Sequence, residues 1–383
     1  MIRLTRPWFD DAEHAGVDAV LRSGMLVQGA QVAAFEASLQ RALTARGAAG
    51  GFDVAAVATG TVALELALAS SPTPAGVGDE VIVPAVTWPS PGHAVILRGA
   101  TPVVVDVDPL TWNLSPATVA PALTDRTRAL IAVDQFGVPA DVPALRAVAP
   151  SIDLIEDAAC ALGSSLHGAL CGLLGDVGTY SFHPRKVITT AEGGAVLTRD
   201  PSRAARVRAL RNHGQATPGV FVDAGPNARM SELHAALGVA QMEKLDAILA
   251  RRVERAERIR GAVKLRWQGA PEGATVNHQT LGFVLPPREG MSRAEARDAV
   301  IAALHARDVQ AGVLSYALHR LPQFARFAVN AGRALPVAEA VVDGGVAVPL
   351  HPLMSDGDVD VVITALRELC GWAEGINPFE GVA

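Results

Sequence analysis

The sequence predicts an α/β fold: a mostly parallel, seven-stranded sheet covered by helices, followed by a smaller C-terminal α/β unit. Three observations carry that expectation. Short, β-branched apolar runs recur roughly every 25 residues through the first half of the chain, with helix-length segments between them. The runs are not interrupted by polar residues, as strands buried on both faces require. From Asn227 onward the spacing changes to long charged helices with isolated strands between them.

The elements follow in order. "VAAVAT" (54–59) is the first strand, and "TVALELALA" (61–69) is the helix that returns from it. "EVIVPA" (80–85) and "TPVVVDV" (101–107) are the next two strands. "SPATVAPALT" (115–124) predicts a helix with Ser115 as N-cap and Pro116 in the first turn. "ALIAVD" (129–134) and "DLIED" (153–157) continue the series, and "VGTYSF" (177–182) and "GAVLT" (194–198) complete the seven at closer spacing. "TPGVFVDAGPN" (217–227) predicts a mobile loop. Residues 228–263 then read as a long, Ala-rich charged helix with one break. A strand over 281–286, a helix near 293–306, a strand within 344–350 and an amphipathic helix over 358–373 follow. The expected division is an N-terminal arm and large domain over 1–245 and a small domain over 246–383.

Of 383 residues half are apolar, enough for a large buried core. A net charge of −6 without blocks of like charge gives no electrostatic reason to expect nucleic acid or an anionic membrane as partner. Cys160, Cys171 and Cys370 are too few and scattered for a disulfide framework, which suits a reducing cytoplasm. The segment "MIRLTRPWFDDAEHAG" has acids and no apolar stretch, so no signal peptide is expected. No apolar run reaches the roughly 18 residues of a membrane span. The ten histidines form no HxH or HxxxH pair, so no metal site is expected.

The chemistry begins with an imbalance. The chain has 30 arginines but only three lysines, Lys186, Lys244 and Lys264. Lys244 and Lys264 fall on or beside a charged helix, where drift in composition accounts for them. Lys186 stands in "SFHPRKVITTAEGGAVL" (181–197), between a strand and a Gly-Gly turn. An amine can lose its proton and attack a carbonyl, which a guanidinium cannot do at accessible pH. Open parallel sheets bind ligands at their carboxyl edge, and the strand ends carry a consistent set. Gly60 and Thr61 turn directly into a helix, leaving free N–H groups and a positive dipole end suited to an anion. Trp88 offers an aromatic face and Asp157 a carboxylate among small residues; Ser181 precedes Lys186. Each alone has a plainer explanation: a helix cap, core packing, an N-cap aspartate. There is no GxSxG elbow, Walker A loop or GxGxxG fingerprint to compete. Together, a phosphate cradle, a stacking face, an acid for a ring nitrogen and a lysine are what pyridoxal 5′-phosphate requires.

In that order these residues resemble the DegT/DnrJ/EryC1/StrS family of pyridoxal-phosphate sugar aminotransferases, of fold type I. The resemblance runs through "SGMLVQGAQVAAFEASL", "TGTVALELAL", "GDEVIVPAVTW", "IEDAACALGS", "SFHPRKVITTAEGGAVLT", "NARMSELHAALG" and "AVPLHPL". It implies that Lys186 holds the cofactor covalently and shuttles the proton, with pyridoxamine phosphate as the intermediate form. Asp157 would pair with the pyridine nitrogen, Trp88 would stack on the ring, and Gly60, Thr61, Val62 and Ser181 would hold the phosphate. Asn227 would reach the phosphate of a partner subunit, making a homodimer with shared sites. His183, Arg185 and His319 would lie near the substrate. The sequence departs from the family at Cys160, where a Gln or His commonly faces the cofactor's phenolic oxygen, and at Asp134, where a His is frequent. The implied reaction moves an amino group from an amino acid, glutamate by resemblance, to C3 or C4 of a nucleotide-linked ketosugar. Alternatives at this level are a ketocyclitol acceptor and a non-catalytic, cofactor-binding regulator. The related 3-dehydratases carry His in place of the lysine, and Lys186 stands against that reading.

Overall fold

The computed structural model describes residues 1–325, 327 and 333–382. Its centre is one seven-stranded sheet of β1 (Asp53–Val57), β2 (Glu80–Pro84), β3 (Thr101–Val105), β4 (Thr127–Val133), β5 (Asp153–Asp157), β6 (Val177–Ser181) and β7 (Gly194–Thr198). These are the seven predicted runs. Their spatial order is β1-β7-β6-β5-β4-β2-β3. Only β7 runs antiparallel, to both β6 and β1, so the other six strands point their carboxyl ends to one edge.

The apolar runs are continuous because each strand is buried on both faces. Alternate residues of β1 show the division. Val54 and Ala56 pack with Phe35, Leu39 and Leu43 of helix α1 (Ala30–Ala45), whereas Ala55 and Val57 pack with Ala63, Leu64 and Ala67 of helix α2 (Gly60–Ala69). The predicted helix after Ser115 forms only as Pro116–Val119 plus a 3₁₀ turn at Ala120–Ala122, although Ser115 does cap it through a capping box with Thr118. The second proline, at Pro121, removes the N–H that would continue an α-helix.

The long helix breaks at Lys244 into α3 (Glu232–Glu243) and α4 (Leu245–Ala262). Helix α4 belongs to two cores. Leu245 and Ile248 pack against the large sheet's helices, and Ala256 and Ile259 against a second sheet of β8 (Leu281–Val284), β9 (Gly312–Val313) and β10 (Gly345–Val348). The first residues join that second unit: Ile2 bridges Val309, and Leu4 O accepts from the Leu350 N–H. Residues 217–227, expected as a loop, instead begin with an exposed hairpin in which Gln215–Thr217 pairs with Val220–Phe221, turning at Gly219 with φ +81°. No helix among the described residues is long and apolar enough to cross a membrane.

Candidate active site

The predicted residues converge because six strands end at one edge. β1 ends at Val57 and Thr59 caps helix α2, its hydroxyl accepting from the Val62 N–H at 3.2 Å. The first two amides of the helix, of Gly60 and Thr61, are left free by helix geometry. Ser181, at the end of β6, lies directly against this turn. A Cβ on Gly60 would come within 2.6 Å of Ser181 Cβ and 2.9 Å of its Oγ. Only glycine therefore lets the helix amides and the Ser181 hydroxyl share one cradle. The Thr61 hydroxyl meets the Ser90 hydroxyl at 2.7 Å, which brings in a residue not read from the sequence. Ser90 was hidden because a serine after "WP" looks like an ordinary helix start.

Lys186 stands on the turn after β6, its N–H donating to His183 O at 2.8 Å. Its Nζ donates to Cys160 Sγ at 3.1 Å. The side chain of Asp157, at the end of β5, is buried, with Oδ1 accepting from the Ala159 N–H at 3.1 Å. Burial pushes its carboxyl above the ordinary range, and the Lys186 ammonium opposes that rise. Lysine, thiol and buried acid thus form one electrostatic group. Burial lowers the His183 imidazole, and the Arg185 and Lys186 charges lower it further against the pull of Glu192. His183 Nδ1 accepts from the Arg185 N–H at 3.2 Å, which fixes the loop carrying Lys186.

Trp88 is half exposed, with the Arg185 guanidinium 5.2 Å from its ring centre and Tyr316 edge-on at 5.6 Å. Tyr316 arrives through a two-residue strand, Tyr316–Ala317, paired with Val86–Thr87. Strands that short carry no periodicity, so the pairing was invisible in the sequence.

Two predicted residues are not brought against Lys186. His319 faces Glu339, with Nε2 3.4 Å from Oε1, and Asp106. Asn227 is exposed and bridges Asn212, while the next residues, Ala228 and Arg229, pair with the end of β1 at Ala58 and Val57. Asn227 thus stands at the rim of the same edge with its side chain turned to solvent.

The donor set fits pyridoxal phosphate. The cradle of Gly60, Thr61 and Ser181 offers neutral donors and a helix dipole to an anion, Asp157 suits a cationic ring nitrogen, and Lys186 supplies the amine.

Comparison with known proteins gives the same picture. The family model for DegT/DnrJ/EryC1/StrS aminotransferases matches residues 8–367. The GDP-perosamine synthase of Caulobacter vibrioides is 36% identical over 320 residues, 81% of this chain and 84% of that protein. The aminotransferase TlmJ from Streptoalloteichus hindustanus superposes with a TM-score of 0.85 at 32% identity, over 97% of this chain and 99% of its own. The sugar aminotransferase Spr1654 from Streptococcus pneumoniae, in its PMP-form, superposes with a TM-score of 0.86 at 26% identity, over 97% and 98%.

Proposed function

The chain belongs to the DegT/DnrJ/EryC1/StrS aminotransferase family, and from that premise we propose how its own residues carry an amino group to a nucleotide-linked ketosugar. It is a pyridoxal-phosphate-dependent enzyme of fold type I. When bound, the cofactor supplies an electron sink for the charge left when a proton leaves the amino-bearing carbon.

The rest falls to the chain. Gly60 and Thr61 amides, the Thr61 hydroxyl and Ser181 hold the phosphate and fix the register of the ring. Trp88 covers one face of it and excludes water there. Asp157 faces the ring nitrogen and keeps its proton in place; an opposite charge there also offsets the burial of the carboxylate. Lys186 is the group that moves protons. Its neutral Nζ would take the proton from the donor's Cα and deliver it across the amino nitrogen, a 1,3 shift, and the reverse sequence would serve the ketosugar. His183 holds the turn on which Lys186 sits, and Arg185, stacked on Trp88, meets the negative charge of the incoming substrate. The donor is L-glutamate, and the acceptor is a nucleotide-linked deoxysugar with its keto group at C3 or C4. The enzyme works in the cytoplasm as a homodimer in which Asn227 completes the partner's phosphate site. Residues 1–245 hold the cofactor and residues 246–383 close over the acceptor, with His319 on the acceptor side.

One observation carries this reading: the Lys186 Nζ stands at the carboxyl edge within the field of the buried Asp157 and against the Cys160 sulfur. The test is spectroscopic. The purified protein is expected to be yellow and to bleach towards the near-ultraviolet on adding L-glutamate, with re-oxidation by a panel of nucleotide ketosugars. Lys186→Ala should lose the visible band and keep its fold; an unchanged spectrum removes the lysine from this role.

A further inference from the structure

Cys160 and Lys186 are 26 residues apart in sequence but stand in contact in the site, Nζ to Sγ at 3.1 Å. Each is fixed from its own side. The Cys160 carbonyl accepts from Asn277 Nδ2 at 2.9 Å, and the Lys186 N–H from the opposite segment is held by His183 O at 2.8 Å.

The other two thiols have no such setting. Cys171 and Cys370 are buried, and burial pushes both up, Cys370 to about 12. Cys160 is part-exposed. Cysteine oxidation follows exposure, which among the three thiols singles out Cys160.

We propose that peroxide joins Cys160 and Lys186 through a thiol-reversible sulfur–nitrogen bond. Hydrogen peroxide is the oxidant. The sulfur attacks one peroxide oxygen, the O–O bond breaks, and the products are the Cys160 sulfenic acid and water; sulfur gives up two electrons and the peroxide takes them. The neutral Lys186 amine then attacks that sulfur. The S–N bond forms as the S–O bond breaks, and the hydroxide leaving group takes a proton from the nitrogen to depart as a second water. The sum is one thiol, one amine and one peroxide going to one sulfenamide and two waters. Two equivalents of an external thiol reverse it, restoring both side chains and forming a disulfide.

The bond itself needs only the pair. Its consequence rests on the aminotransferase reading: the linked nitrogen cannot carry the cofactor, so the enzyme is locked until reduced. The same reading makes the lock conditional, because the amine is free to attack only after an amino donor has displaced it.

The test treats the full-length purified protein with hydrogen peroxide, with and without L-glutamate, and follows intact mass and peptide maps. The expected result is a chain lighter by two hydrogens and a peptide joining residues 160 and 186. Both should revert with dithiothreitol and both should be absent in Cys160→Ser. The linked peptide should be several-fold more abundant with glutamate present. Equal linkage in both conditions supports the bond and counts against the aminotransferase reading. Oxidation of Cys160 to sulfinic acid without linkage, a link that retains an oxygen between sulfur and nitrogen, or a link surviving in Cys160→Ser overturns the proposal.

Discussion

Behind the site lies a pair of acids whose titration can be predicted from their packing. Asp134 follows β4 and Glu156 is in β5, one residue before Asp157 and therefore on the opposite face of the sheet. Both are fully buried. Asp134 Oδ1 accepts from the Ala140 N–H and Glu156 Oε2 from the Leu174 N–H, each at 2.8 Å. The remaining oxygens, Asp134 Oδ2 and Glu156 Oε1, are buried with no partner if both groups are ionised. Carboxyl oxygens and the Cys171 sulfur lie within 4.8 Å of one another. Two full charges at that separation would repel by about 3.5 kcal/mol at an effective dielectric near 20. One proton shared between the two oxygens removes the repulsion and satisfies both atoms. Burial and the Glu156 charge accordingly push Asp134 well above its ordinary value, and burial pushes Glu156 up as well. A carboxyl raised in the folded state gives stability that is complete below its unfolded value and is lost as pH rises through the folded one. Asp134→Asn supplies a permanent N–H donor to Glu156 and removes that titration. Relative to this variant, the wild type should lose up to about 1.4 kcal/mol per pH unit above the unfolded carboxylate range. The loss should level off on the order of the repulsion energy. Urea unfolding midpoints of both proteins across mildly acidic to alkaline pH measure the difference. Parallel profiles, or a variant destabilised equally at every pH, would refute the shared proton.

Three further outcomes follow from the same geometry. Arg203 is buried and makes a two-pronged bond to Asp153 at 2.7 and 2.8 Å while also donating to Ala67 O at 3.0 Å; Arg203→Met should lower unfolding stability by up to about 3 kcal/mol by stranding a largely buried carboxylate, and a loss too small to resolve by urea titration would mean water reaches Asp153. Gly60→Ala places a methyl group 2.6 Å from Ser181 Cβ, so the phosphate cradle must open; equilibrium dialysis should show weaker cofactor retention with the unfolding midpoint of the cofactor-free protein little changed, and unaltered retention would place the phosphate elsewhere. Asp157→Asn removes the charge facing the ring nitrogen and should slow glutamate-driven bleaching in stopped flow by about 10²–10³, the usual cost of one preorganised electrostatic group; a wild-type rate would sever Asp157 from the cofactor.

Most of the large sheet was legible because its strands are buried on both faces. A run such as "ALIAV" has no polar face to confuse with a surface helix, and the observed strands match the predicted runs to within a few residues. What escaped were pairings that depend on the rest of the fold. The reversed direction of β7 leaves no trace in its composition. Ile2 meeting Val309 joins the first residues to the second, smaller sheet's unit without a motif at either position. The hairpin at Val220 reads as a loop because its residues are exposed and its strands are two or three residues long. The helix after Ser115 was overestimated because the cap and first-turn proline promised a start, while Pro121 set the end.

At the site, legibility followed the strand ends. Gly60, Ser181, Asp157 and Lys186 each follow or close a recognisable run, so a rule about carboxyl edges was enough to collect them. Contacts across the site were not available in this way: Cys160 against Lys186, Ser90 against Thr61 and Arg185 on Trp88 join segments that sequence spacing leaves unrelated. The lysine count shows where the clue ended and the structure began. Rarity marked Lys186 and Lys244 equally. Lys244 is as specifically placed as Lys186: at the break between α3 and α4 it ion-pairs with Asp10 and Glu13, tying the first helical turn of the chain to the helix junction. Its ammonium is occupied by two carboxylates in a structural tie. Among the described residues Lys186 has no carboxylate within ion-pair distance, only a thiol and the more distant field of Asp157. A nucleophilic amine has to be reachable, and of the two it is Lys186 that stands at the carboxyl edge rather than inside a carboxylate pair.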